Sequence, residues 1–380
     1  MSDTLKSFLQ RLKTSYLSQI DGKSTLRIVC GNESADLDSV VSAISYAYLS
    51  YVENPGNPIV PVLNIPRKDL RLRRDIVWVL REKSISDDLL WFAEEIDAIK
   101  RRFQCSVMSI LVDHNELQSI ARKFTDDVIG IIDHHEDAGF YRDIESKFNG
   151  PRVITETGSC SSLVTNYWKT AYERFPSRLN DVAFLSLSAL MVDTSSMSYK
   201  VENPDRQAIA LYRAVLPSDF SLTNLHTRIQ YEKDNIEGLS LTEVLKKDYK
   251  VFDLESATAG SVKCGTSSIV KSFEWLLEKH GDQEFQRDVD KFMAERSLDV
   301  LLLLTHWCEN GVLNRQLAFI ARGKDLSELS KKVSGAMTKP LDLEPLDVLQ
   351  NELTQFFSQK NLNASRKKVV PCLKQALSRL

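Results

Sequence analysis

The chain has 380 residues, a formal net charge of -3, 43% hydrophobic and 27% charged residues, the balance of a globular protein with room for two cored domains. So slight a net charge gives no global pull toward nucleic acid or an acidic membrane surface, and a polyanionic partner would have to meet a local basic patch. Six scattered cysteines without a CxxC pair argue against a disulfide framework or a zinc ribbon, and for reduced thiols in a cytoplasmic protein.

The first element is "SFLQRLKTSYLSQI", which puts Phe8, Leu9, Leu12, Tyr16 and Leu17 on one helical face and Lys6, Arg11 and Lys13 elsewhere. This predicts a helix packed on the first domain; its basic, acid-poor character also suits mitochondrial targeting, so a mitochondrial pool is a secondary expectation. No apolar run approaches the length needed to span a bilayer.

The same event then occurs four times. "LRIVC" (26–30) leads into "GNESADLDS" and an apolar helical run, "VMSILV" (107–112) into Asp113, "VIGII" (128–132) into Asp133-His134-His135, and "LSLSALMV" (185–192) into Asp193. Short β-rich runs separated by helical segments predict a parallel α/β sheet buried on both faces, with ligands beyond the carboxyl ends of its strands. One aspartate at a strand end is an ordinary turn residue or N-cap. Four such ends in one sheet predict a shared site.

Between these runs lie "RKDLRLRR" (67–74), with five basic residues in eight positions, and "GSCSSL" (158–163) beside a helix start. The first reads either as a solvated amphipathic face or as a lip for a long polyanion. The second reads as N-capping hydroxyls or as a buttress for metal-binding histidines. "ENPDRQAIALYRAV" predicts a helix, the stretch from 216 to 236 a polar connector with some helix, and the rest a second α/β region whose strands include "LDVLLLLTHW" and "QLAFIAR". The expected domains are therefore 1–215 and 237–380, with 216–236 as linker.

Asp36 and Asp38, two apart on a strand-to-helix loop, can point into one cavity with Asp113, His134 and Asp193. Taken singly, Asp36 is loop, Asp38 or Ser39 a helix N-cap and His114 a solvated turn residue. Taken together, four carboxylates would repel strongly without cations among them. Oxygen ligands with one imidazole suit Mn2+, Mg2+ or Co2+ better than structural zinc. The ligands outnumber what one ion with open positions needs, so two divalent cations are expected, the arrangement that clamps a phosphoryl group.

In order, "NESADLDS", "VDHN", "IDHH" and "VDTS" resemble the four motifs of the DHH phosphoesterase superfamily, and the C-terminal "SRKK" resembles the substrate motif of the associated domain in its second subfamily. That group holds the family II inorganic pyrophosphatases, the fungal cytosolic exopolyphosphatases and the prune proteins. The likeness covers nearly the whole chain and is nearest the fungal exopolyphosphatases, through "IPRKDLRLRRDI", "GSCSSLV" and "LKKDYKVF". It implies an N-terminal parallel-sheet DHH domain and a smaller C-terminal α/β DHH-associated domain, with the active site in the cleft between them.

The resemblance also implies roles. Asp36, Asp38, Asp113, His134 and Asp193 would hold the metals, with Asp113 bridging. His135 would lie against substrate, and Lys250, Ser365, Arg366 and Lys367 would hold phosphates from the second domain, with Arg71 and Arg74 on the lip. One departure stands out: the pyrophosphatases carry a histidine four residues before the first aspartate, where this chain has Asn32, as a weak ligand or a hydrogen-bond donor behind the ligands. The reading is an exopolyphosphatase releasing orthophosphate from the end of linear polyphosphate. Its alternatives are a pyrophosphatase, a prune-like short-chain polyphosphatase or cyclic nucleotide phosphodiesterase, and a non-catalytic phosphate-binding protein. A monomer is expected, with no nucleic-acid or membrane partner.

Overall fold

The computed structural model describes residues 4–257, 260–322, 324–349 and 353–379. The chain divides into two units, Met1–Lys233 and Asp234–Leu380.

The first unit is built on a six-stranded sheet of β1 (Thr25–Cys30), β2 (Val60–Leu63), β3 (Trp91–Phe92), β4 (Ser106–Val112), β5 (Asp127–Asp133) and β6 (Arg152–Ile154), in the order β3-β2-β1-β4-β5-β6. Every pairing is parallel. The central strands are runs of Ile, Val and Leu because helices cover both faces and leave no wet side to alternate toward. Register matters more than length for the site. Cys30 pairs Val62 on one side and Leu111 on the other, and Val112 pairs Ile132. The residues just past these pairs, Asn64, Asn32, Asp113 and Asp133, therefore line up along the carboxyl edge.

The helix Leu37–Glu53 is buried along almost its whole length, and its small residues let the helices Cys160–Tyr167 and Asn180–Asp193 pack against it. The last of these corrects the sequence reading, since 185–192 is helix and Asp193 ends it. The Leu/Ser alternation mimics a strand. In fact the helix is buried on all sides, so no amphipathic period marks it. Its serines are satisfied locally: Ser186 Oγ meets Ser45 Oγ at 2.9 Å and Ser188 Oγ donates to the Phe184 carbonyl at 2.8 Å.

The N-terminal run is helical over Leu5–Arg11 and continues as a π-turn and a 3-10 turn, with Leu5, Phe8, Leu9 and Leu12 in the core of the first unit. The basic run forms a 3-10 helix, Arg67–Leu72, followed by the helix Arg74–Glu82. The segment 216–236 carries the helix Leu222–Asp234, whose Leu225 and Ile229 belong to the core of the first unit.

The second unit has its own six-stranded sheet: β7 (Tyr249–Ser256), β8 (Gly260–Ile269), β9 (Val300–Glu309), β10 (Val312–Ala321), β11 (Leu343–Pro345) and β12 (Thr354–Gln359), in the order β11-β12-β10-β9-β8-β7. Only β8 and β9 run parallel; the other pairs are antiparallel. Its core joins Leu302, Leu304, Leu317 and Phe319 to Val369 and Leu373 of the helix Arg366–Arg379. No helix among the described residues is long and apolar enough to cross a membrane.

Candidate metal centre

β1 hands over to the helix Leu37–Glu53 through residues 31–36. A Cβ at Gly31 would stand 2.9 Å from the Cβ and the carbonyl oxygen of Ser39, so only glycine lets the helix start this close behind the strand. Asp36 is the N-cap, its Oδ1 accepting from Ser39 N at 3.1 Å. Asp38, in the first turn, is 4% exposed. Its Oδ1 accepts from Ser159 Oγ at 2.9 Å, Ser161 N at 2.8 Å and Ser42 Oγ at 3.2 Å, and its Oδ2 from Cys160 N at 2.6 Å. The N-terminus of the helix Cys160–Tyr167 thus holds the Asp38 carboxylate, satisfying amides that would otherwise be orphaned. "GSCSSL" supports a carboxylate, then, and not the histidines.

Asp113 follows β4 with φ of +63°, a left-handed conformation that aspartate tolerates better than most residues and that concentrates at functional sites. Its N–H donates to the Ile132 carbonyl at 3.0 Å, fixing the turn. Oδ2 accepts from Ser39 Oγ at 2.5 Å and Asn32 Nδ2 at 2.8 Å. Oδ1 faces His134 Nε2 at 3.2 Å and His135 Nδ1 at 3.7 Å. Asp113, His134 and His135 form a group that can hold a metal ion, with Asp38 Oδ2 3.9 Å from His134 Nε2. His134 is oriented from behind: its Nδ1 meets the Thr157 carbonyl at 3.0 Å, which leaves Nε2 facing the carboxylates, as metal-binding imidazoles are usually held.

Asn32 hydrogen-bonds on both sides of its amide. Its Oδ1 is occupied by Ser34 N, Ser34 Oγ and Ala35 N, and its Nδ2 donates to Asp113, so it acts on the Asp113 carboxylate as a donor. Asp193 is delivered from the helix end. Gly158, whose N–H donates to Asp205 Oδ2 at 2.8 Å, lets the neighbouring chain approach; a Cβ there would lie 2.4 Å from Thr194 Cγ2. Asp193 Oδ2 has neither solvent contact nor a hydrogen-bond partner among the described residues.

Electrostatics make the cation requirement concrete. Burial and then the charge of Asp38 push the Asp113 carboxyl up to about 7. Burial, followed by Asp38, Asp36 and Asp113, drives Asp193 well above the usual carboxylate range. Burial would lower His134, yet its bond to Asp113 and the charges of Asp38 and Asp113 raise it to about 10. Alone, this cluster gathers protons. Divalent cations satisfy the same charges, and Asp113 Oδ1 beside His134 Nε2 is a fitting donor pair for them.

Sequence reasoning missed several supporting residues. Asp133 is fully buried and accepts from Asn115 Nδ2, the N–H groups of His134 and His135, and His135 Nδ1 at 2.9 Å. It holds the exposed His135 ring and, chiefly through that hydrogen bond, raises its pKa. Ser39, a cap candidate by its place in the sequence, donates instead to the Asp113 carboxylate. Arg73 reaches back to donate to the Ser34 carbonyl in the metal loop. Nothing but its place in a basic run could have marked it.

Arg71 and Arg74 line a cavity of about 760 Å³ with Arg67, Lys68, Arg81 and Arg228, against only Asp87 and Glu232 as acids. In the second unit, Lys250 lies exposed on β7 and Lys367 exposed near the start of the helix Arg366–Arg379. Arg366 is engaged by Asp248, two residues before Lys250, through Nη2 to Oδ1 at 2.6 Å and Nη1 to the carbonyl at 3.0 Å. The Ser365 carbonyl accepts the first amides of that helix.

The comparisons agree with this geometry. Residues 27–190 match the DHH family, N-terminal domain, and 227–376 the DHHA2 domain. The chain is 29% identical over 373 residues to a Schizosaccharomyces pombe protein named "Putative exopolyphosphatase", covering 96% of this chain and 94% of that one. It is 30% identical over 363 residues to "Exopolyphosphatase PRUNE1" of Homo sapiens, covering 93% of this chain and 76% of that one. Among solved structures, a "putative family II inorganic pyrophosphatase" of Methanococcus jannaschii shares the fold with a TM-score of 0.55 at 18% identity, over 93% of this chain and 99% of that one. With its carboxylates converging beyond a parallel sheet and both domains matched in order, the chain belongs to the DHH family of phosphoesterases, in the branch that carries a DHHA2 domain.

Proposed function

We propose that the protein is a metal-dependent exopolyphosphatase that removes the terminal phosphate of linear inorganic polyphosphate. The observation that carries the reading is the Asp113 carboxylate, buried between the Asn32 and Ser39 donors on one oxygen and two imidazoles on the other. Asp36, Asp38, Asp113, His134 and Asp193 would hold two divalent ions, with Mn2+ or Mg2+ the expected choice and Co2+ a third. Such ions, when bound, neutralise phosphate oxygens and make water a nucleophile near neutral pH.

The chain's own groups do the rest. His135, oriented by Asp133 and favoured as a cation, would donate to a phosphate oxygen from its outward face. Lys250, Ser365, Arg366 and Lys367 would bind phosphates further from the cut, Arg by a planar fork and Lys as a point charge. The cation-rich cavity carrying Arg71 and Arg74 would favour a long chain over pyrophosphate, which has only two phosphates to offer. The names of the S. pombe and human relatives support this substrate class.

The deciding experiment is orthophosphate release from pyrophosphate, tripolyphosphate and long polyphosphate, each with Mg2+, Mn2+ and Co2+. Activity rising from pyrophosphate to the longer chains is expected. Pyrophosphate turnover exceeding that of every longer chain would reassign the enzyme as a pyrophosphatase.

A further inference from the structure

Asn64 follows β2, two residues beyond the Cys30–Val62 pair, and so stands level with Asn32 at the carboxyl edge of the sheet. It is 3% exposed, and neither Nδ2 nor Oδ1 has a hydrogen-bond partner among the described residues. A primary amide carries two donors and an acceptor with two lone pairs, and burying all of them unmet is among the more destabilising choices a core can make. Its neighbour cannot relieve it, because the amide oxygen of Asn32 serves Ser34 and Ala35 and its nitrogen serves Asp113. Leucine, with the same branching, would occupy the position with no unmet polar group. The fold therefore supplies no reason for an amide here.

The segment that begins at Asn64 supplies one. It runs through the basic stretch to Arg73, whose guanidinium grips the Ser34 carbonyl, so that both its ends flank the metal loop 31–36. On that loop, Asp36 and the adjoining Asp113 mark where a phosphate would be brought to the metals. Asp193 Oδ2 is shut from bulk water in the same way as Asn64. Seclusion is thus shared by a carboxylate oxygen of the centre, although Asp36 and the His135 ring lie exposed, and is no argument against contact with a ligand.

We propose that Asn64 is a phosphate-binding residue of this centre, its amide nitrogen donating to an oxygen of the substrate's terminal phosphate. The inference rests on the phosphoanhydride reading above and adds the residue that would position the reacting group. An uncharged donor suits the place: it grips a phosphate oxygen without drawing the carboxylates away from the metals.

The test uses the full chain, with thermal unfolding measured in Mn2+ with and without inorganic phosphate as the probe. For Asn64→Leu, the melting temperature without phosphate is expected to hold or rise, because an unmet amide has left the core. The phosphate-induced rise seen in the wild type should fall to less than half, and kcat/KM for tripolyphosphate should fall about ten- to a hundredfold. Bound Mn2+ per chain should not change. A lower melting temperature with the phosphate-induced rise and kcat/KM both retained would make Asn64 structural and overturn the proposal. Asn64→Ala is read by the same criteria if the leucine variant does not fold. A wild type that responds to phosphate yet hydrolyses no polyphosphate would defeat the functional reading alone, and the phosphate-induced rise would still decide Asn64. A wild type indifferent to phosphate would overturn both.

Discussion

In the first unit, Asp38, Asp113 and Asp133 are 4%, 2% and 0% exposed, and each is ringed by donors from two or more elements. In the second, Lys250 and Lys367 stand exposed on a strand and a helix start, and Arg366 leans on a single aspartate. The two regions handle charge under opposite constraints. A buried carboxylate must be given donors or cations by the fold, and removing one partner leaves the rest uncompensated. An exposed lysine is solvated wherever it sits and contributes little until a ligand arrives. The first arrangement should therefore be brittle to substitution and the second graded.

The brittle side gives the largest expected effect. Asp113→Asn keeps the left-handed backbone, which asparagine also tolerates, and keeps a side chain of the same shape. It removes the charge that His134 and His135 face. The variant should fold and lose on the order of a thousandfold or more in kcat, with Mn2+ stoichiometry reduced in equilibrium dialysis. A folded variant with near-normal turnover would end the binuclear hypothesis.

On the graded side, Lys250→Ala or Lys367→Ala should cut kcat/KM for tripolyphosphate about tenfold, as expected for one charge-assisted contact, and leave metal stoichiometry unchanged. Arg366→Ala should cost more, up to about a hundredfold. It removes a forked donor and also leaves Asp248, a negative charge, beside the phosphates. Titrating Mn2+ into each variant checks the split. A second-unit variant that lost metal would break the contrast between the two regions.

The same contrast explains what could be read from the sequence. The candidate metal residues were legible because a carboxylate at the end of an apolar run is an odd choice, made four times. The fourth differs from the others: Asp193 ends a helix that burial on all sides disguises as a strand. The supporting donors were legible as residue types but not as contacts. Ser159, Ser161 and the Cys160 amide serve Asp38 across a sequence separation of more than 120 residues, which no local pattern encodes. Asn64 was invisible because nothing in "VLNIPR" signals an amide sealed without partners.

A third effect is thermodynamic. Asp113 and His134 are both raised in the metal-free protein, to about 7 and about 10. A group whose folded pKa lies above its unfolded value stabilises the fold below the unfolded pKa, and that stabilisation is lost as pH rises through the folded one. The metal-free chain should therefore melt at lower temperature as pH rises from about 6 toward 9, while the rise produced by Mn2+ should grow over the same interval. At a hundred times Kd, binding is worth about 2.7 kcal/mol, a shift of a few degrees. Calorimetry in EDTA and in Mn2+ reads both trends. A metal-induced rise that shrank toward alkaline pH would show that protons and metal do not compete for this cluster.

The smallest effect concerns the cavity around Arg71 and Arg74, where six cations face two acids. Arg73 has to be left in place, because it holds the Ser34 carbonyl and its removal would disturb the metal loop itself. Arg71 lies exposed and Arg74 is half-buried, so neither is as deeply committed to the fold as the residues of the metal centre. A long chain that reaches this cavity from the metal centre releases counterions along the way, and the gain weakens as salt rises. Pyrophosphate and tripolyphosphate gain less, being short. Replacing Arg71 and Arg74 together by glutamine should raise KM for long polyphosphate about three- to tenfold, flatten its dependence on salt, and leave tripolyphosphate turnover within about twofold. Steady-state rates between 50 and 200 mM salt would read all three quantities. Equal losses on short and long chains would mean that the arginines act on the centre and not on the length of the substrate. An unchanged preference for long chains would remove the cavity from the substrate path and leave the metal centre as it stands.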